Sequence, residues 1–181
     1  MNNWAFWSTV HLLWLEFQSF PFVVYAEGPG LAGAILPALV SAFIFTHDRT
    51  PLTRVSVPMR KLLVGGALFC AVMGMRTGYW TDAGYHFLDA GLILWPVIAL
   101  LSPDFRAWWS YPLTFFPMLL VDVMGAGEYG HWTGNFWFGV GGMGFSDGLF
   151  IGPASALICA LVCAALGSVL RQRGIFHLET F

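Results

Sequence analysis

Charge is what this sequence has least of. Asp, Glu, Lys and Arg make up 10% of its 181 residues, where a soluble domain carries roughly a quarter. The eight Lys and Arg are scattered between apolar segments and form no basic patch, which removes nucleic acid from the expected partners. Cysteine is sparse as well. Cys70, Cys159 and Cys163 each sit inside an apolar stretch, in neither a zinc spacing nor a secreted-disulfide pattern, and read as small packing residues. No Walker or Rossmann glycine motif occurs, so any energy source would have to be an ion gradient or a separate subunit. No basic residue precedes the first apolar stretch and Glu16 interrupts it, so a cleaved leader is not expected.

What is abundant is apolar: 57% of the chain is hydrophobic, 17% is aromatic, and the mean hydropathy is +0.70. A helix needs about 20 mostly apolar residues to cross the hydrocarbon of a bilayer. That length marks six stretches, 5–25, 30–45, 61–78, 85–101, 111–125 and 149–170. The second and fifth are short and are expected to stand upright or to borrow flanking residues. Lys and Arg near span ends concentrate on the cytoplasmic side. Six spans with the N-terminus inside place Arg49, Arg54, Arg60, Lys61, Arg106, Arg171 and Arg173 there and leave Arg76 alone outside; the opposite orientation inverts the split. The expectation is therefore an all-α membrane protein of the inner (cytoplasmic) membrane. It is a single polytopic domain over 1–181, a compact bundle of about six transmembrane helices with both termini cytoplasmic. A long outer loop rich in glycine and aromatics separates helices 5 and 6. Trp4, Trp7, Tyr79, Trp80, Tyr85, Trp108, Trp109 and Tyr111 fall at span ends and read as interfacial anchors.

Lipid tails give helices no hydrophobic reason to associate, so spans meet at small residues. Ala34, Ala38 and Ala42, then Gly66, Cys70 and Gly74, then Ala156, Ala160 and Ala164 recur every fourth residue, each set on one helix face. Besides the lipid bilayer, the expected partner is another membrane subunit or a second copy, docked on a stripe left over after internal packing.

Ionisable residues inside spans are costly and point to function by default. Here they gather on the predicted outer side: Asp82, His86, Asp89, Asp122, Glu128, His131 and Asp147. If a helix begins near Asp82, the spacing of Asp82, His86 and Asp89 puts the three on one face. His86 and Asp89 with Glu128 and His131 could then hold a divalent metal or relay protons, or they could form a helix cap or ion pair. The Asp82-x3-His86 element is similar to a metal-ligand spacing of copper membrane monooxygenases. Their pattern continues with a second histidine in the same region, whereas the next one here is His131. The loop from 126 to 148 holds Trp132, Asn135 and Trp137 beside Glu128, His131 and Asp147, the mixture of flat apolar surface and placed polar groups that lines ligand pockets. Deeper in the first span, Glu16 is a candidate for carrying a coupling proton. Gly144-Phe145-Ser146-Asp147-Gly148 matches the serine-hydrolase elbow in letters, but that mechanism requires a strand before the serine and a base in reach, and neither is expected here.

The reading that follows is a membrane component that binds or transports a small solute or ion through an outward-facing polar and aromatic pocket. Its layout is similar to that of the substrate-binding subunits of energy-coupling-factor vitamin transporters. A non-catalytic subunit of a larger membrane complex and a metal-dependent membrane enzyme are the alternatives.

Overall fold

The computed structural model describes residues 31–48, 55–81, 84–126 and 140–174, and these are mostly helical. Glu16, Asp82, Glu128, His131, Trp132, Asn135 and Trp137 lie outside the described residues. A π-helical turn, Leu31–Ile35, leads into α1 (Leu36–His47). The next helix, α2 (Val57–Thr77), starts where Ser56 caps it by accepting from the Met59 N–H and Pro58 fits the first turn. Then come a two-stranded hairpin, α3 (Gly91–Leu101), a 3-10 turn Ala107–Trp109, α4 (Ser110–Ala126), a second 3-10 turn Gly144–Ser146, and α5 (Gly148–Gln172).

The hairpin corrects one expectation. Tyr79–Thr81 (β1) pairs antiparallel with Gly84–His86 (β2), Tyr79 opposite His86 and Trp80 opposite Tyr85. His86 therefore ends a strand, and Asp89 lies in the stretch before α3. The two do not share a helix face, because the fourth apolar stretch is helical only from Gly91. Aromatic and β-branched residues flanking a short turn favour strands. Gly78 allows the fold-back, since a Cβ there would strike the Tyr85 ring.

Helices α2 and α5, of 21 and 25 residues, are long and apolar enough to cross a membrane. Only 33% of the most apolar window of α2 and 28% of that of α5 are buried within the protein, which is not how the core helix of a soluble domain packs. Leu39, Phe43, Val64, Leu68, Ile93, Ile158 and Val162 are all exposed, an apolar exterior far beyond the scattered hydrophobics of a soluble surface.

Inside, the small-residue stripes of α2 and α5 do the packing. Gly66 of α2 meets the Trp95 ring of α3, Gly74 meets Val121 of α4, and Gly167 of α5 lies against the carbonyl of Leu100 at the end of α3. Ala156 and Ala160 are fully buried, while Ala42 of the α1 stripe is exposed. The contacts make α3 and α5 parallel neighbours, Asp89 level with Gly152 and Leu100 with Gly167, and they make α2 parallel to α4. The bundle thus has two chemically distinct ends. One carries Arg60, Lys61, Arg106, Arg171 and Arg173; the other carries Asp89, Asp122 and Asp147, with Arg76 as the only Lys or Arg among the described residues there.

Candidate functional site

Helix α3 is the anomaly that builds the site. Its 11 residues span about 16 Å, roughly half of a 30 Å hydrocarbon layer. Between the hairpin and α3 the chain at 87–89 is neither helix nor strand. After the hairpin, the Leu88 N–H donates to Thr77 Oγ1 at 3.0 Å, Phe87 packs at Gly74, and Asp89 reaches down between helices. The first turn of α3 consequently starts inside the bundle, level with Met118 in the middle of α4 and one turn into α5 at Gly152.

Asp89 Oδ1 accepts the Gly91 N–H at 2.9 Å. Its other oxygen, Oδ2, is buried with no partner among the described residues, and so are Trp95 Nε1 and Thr114 Oγ1. The three residues converge. A methyl group built on Gly91 would sit 3.0 Å from Asp89 Oδ1, 3.0 Å from Thr114 Oγ1 and 3.1 Å from Trp95 Nε1, and one built on Gly152 would sit 3.5 Å from Asp89 Oδ2. Trp95 and Thr114 are both fully buried. Buried polar groups in native proteins nearly always have partners, and an unpaired one costs about 1–3 kcal/mol. The Thr114 hydroxyl and the Trp95 indole N–H meet the Asp89 carboxyl at Gly91, and the unpartnered Oδ2 of that carboxyl lies toward Gly152; together they form a polar cradle.

The remaining candidates sit elsewhere. His86 is exposed, its ring stacked on Tyr79 with centroids 5.7 Å apart. Asp122 near the end of α4 accepts the Gly141 N–H and lies close to Asp147. Asp147 caps α5, taking the Leu149 N–H at 2.9 Å and the Met143 N–H at 3.1 Å. Burial pushes the Asp147 carboxyl above its ordinary value, and the two N–H donors pull it back down. Asp122 and Asp147 together therefore hold the turn 140–147, whose Gly141 has φ +68° and packs its backbone against Gly33. Ser146 lies in the 3-10 turn before α5. Of the four proposed metal ligands, His86 and Asp89 are described, and among the described residues no three His, Cys, Asp or Glu side chains come together as a metal would need.

Sequence reasoning missed Trp95 and Thr114. The signal for Trp95 is its place in the interior of an apolar stretch, away from the interfaces that tryptophan favours. It also missed the opposite end. There Asp48, 3% exposed, pairs with Arg106 Nη1 at 2.6 Å and accepts the indole N–H groups of Trp109 and Trp108 at 2.5 and 3.4 Å. The Arg106 guanidinium also lies over the Trp108 ring, 5.6 Å from its centroid. A cavity of about 380 Å³ opens at this end, lined by Pro58, Met59, Leu62, Ile98, Leu101 and Ser102; its walls are apolar, unlike the cradle at Asp89. Compared with protein families, curated proteins and solved structures, the chain matches none.

Proposed function

We propose that this chain is a single multi-pass domain of the cytoplasmic (inner) membrane. In this reading six helices span the bilayer over 5–25, 30–45, 61–78, 85–101, 111–125 and 149–170, both termini are cytoplasmic, and the protein binds or transports a small solute or ion entering from the acidic end. The observation that carries this reading is the unpartnered polar cradle of Asp89, Trp95 and Thr114 at the start of a helix too short to cross alone. Transporter sites are typically built at interrupted helices, inside otherwise apolar bundles. The separation of basic from acidic ends supports the orientation, and the exposed apolar faces of α2 and α5 support lipid contact. In the same reading the loop carrying Glu128, His131, Trp132, Asn135 and Trp137 covers the acidic end and supplies the outer part of the pocket.

Single-cysteine labelling tests this. In a variant with Cys70, Cys159 and Cys163 replaced by alanine, His86→Cys reacts with an impermeant maleimide on intact cells, and Arg173→Cys reacts only after permeabilisation. Labelling of both from the same side would break the topology on which the functional reading stands.

A further inference from the structure

We infer that the ligand of the cradle is a proton, taken up by Asp89 from the water at the hairpin end. The inference rests on the proposed function and narrows "small solute or ion" to one chemical species.

Three features of the cradle select it. First, the packing is close: a Cβ at Gly152 would come within 2.7 Å of Met118 Sδ and one at Gly91 within about 3 Å of three polar atoms, which leaves no room there for an organic solute. Second, the donor set is wrong for a metal cation. Oxygen ligands in number are what hard cations need, and among the described residues only Asp89 and Thr114 bring side-chain oxygens to Gly91. Third, a buried water, the carrier that would deliver the proton, makes about three hydrogen bonds. Asp89 Oδ2 accepts, Thr114 Oγ1 accepts or donates, and Trp95 Nε1 donates, which matches that number and polarity. Among the described residues no Lys or Arg pairs with Asp89. Among the described residues, α2 brings Cys70, a thiol, near it. From α4 come Thr114 and Met118, and α5 contributes Gly152. The acids of the latter two helices, Asp122 and Asp147, are engaged with the turn 140–147. A carboxylate whose Oδ2 is buried without a partner and has no cation beside it among the described residues is neutralised by protonation. The balance is simple: the proton leaves hydronium or water in the outer phase, an O–H bond forms on Oδ2, and release reverses it.

Infrared difference spectra of the purified full-length protein in detergent, recorded between acid and alkaline pH, test the assignment. A carbonyl band of a buried protonated carboxyl is expected to vanish as pH rises. It is lost in Asp89→Asn and kept in Asp147→Asn. Trp95→Phe removes a donor that favours the charged form, so it moves the midpoint upward by up to about one pH unit, tenfold in proton affinity; this variant keeps the test decisive if Asp89→Asn does not fold. A band that persists in Asp89→Asn, a midpoint unmoved by Trp95→Phe, or displacement of the proton by sodium or calcium at fixed pH overturns the inference. The labelling experiment fails independently. A chain with the expected topology but no Asp89 band loses the proton alone, whereas a titrating Asp89 with His86 and Arg173 on one side loses the six-span reading alone.

Discussion

Asp48 and Asp89 are the same residue in the same apolar bundle, and the chain treats them oppositely. At the basic end, Asp48 is locked by a guanidinium and two indole N–H groups. At the acidic end, Asp89 has one backbone N–H on one oxygen and nothing on the other, with two further unpartnered groups beside it. The first arrangement resembles a clasp. It ties the end of α1 to the turn before α4 across 58 residues of sequence, while Arg171 Nη1 closes the same end by donating to the Leu100 carbonyl at 3.0 Å, satisfying a helix C-terminus that would otherwise be orphaned. The second arrangement leaves hydrogen-bonding capacity unspent. Folding alone gives no reason to keep it, since an apolar side chain in place of Asp89 would leave less unsatisfied, and function is what such exceptions suggest.

The comparison breaks most severely at Arg106. Arg106→Ala removes the guanidinium from the buried Asp48, and losing one partner of a buried pair costs about 3–5 kcal/mol. Arg106 is itself 36% exposed, so the lower part of that range is expected, read as a drop in unfolding midpoint in detergent. Next in size is Gly167→Leu, which forces a side chain onto the Leu100 carbonyl. Overpacking of this kind costs roughly 1–3 kcal/mol, and because the obstacle is backbone, α3 and α5 must separate at the basic end. Weakened protection of the Leu100 region in hydrogen exchange is the accompanying sign.

A matched pair of conservative changes sharpens the contrast. Asp48→Asn gives up the ion pair and turns an acceptor toward a cation into an amide, costing about 1–3 kcal/mol. Asp89→Asn replaces a carboxyl that has no counter-ion among the described residues, so stability stays level or rises by about 1 kcal/mol, the usual gain when a functional group is sacrificed. Opposite signs in the two melting curves are the expected result. Equal losses would mean that Asp89 is a structural clasp too, with the difference between the two ends reduced to geometry.

Much of the helical layout was legible because each helix occupies an apolar stretch of helical length: the ends of α2, α4 and α5 fall within a few residues of the expected bounds, while α1 starts at Leu36, after a π-helical turn. Helix α3 was not, since apolar content cannot by itself separate a helix from an extended run, and Tyr79 to His86 contains enough aromatics to satisfy both. Asp89 was visible as an ionisable residue among apolar ones. Its partners were not: Thr114 lies 25 residues further on, in another helix, and only the parallel packing of α3 with α5 and the passage of α4 beside them bring the three together. Asp48 was hidden for a different reason. In sequence it reads as one acid in a short basic connector, and the tandem Trp108-Trp109 reads as an interfacial anchor, yet Trp109 is 2% exposed and serves as a donor.

Asp147 stands between the two extremes, with the smallest predicted effect. It is partly buried and uses both oxygens to accept backbone N–H groups, yet burial outweighs them and its carboxyl is held above the ordinary value. The folded chain therefore binds this proton more tightly than the unfolded chain. Below the ordinary aspartate value both states are protonated and the contribution is fully present. As pH climbs through the window between the ordinary and the raised value, that contribution is lost. Asp147→Asn retains an N-cap and removes the slope, so its melting curve should lie level with the parent at acid pH and above it near neutrality. Asp147→Ala loses the cap as well and should fall by about 1 kcal/mol at every pH. If the parent instead gains on Asp147→Asn as pH rises, the two N–H groups outweigh burial. Asp147 would then belong with Asp48, as an acid whose charge the fold has been arranged to hold, leaving Asp89 as the one described carboxylate in the bundle with an oxygen still to satisfy.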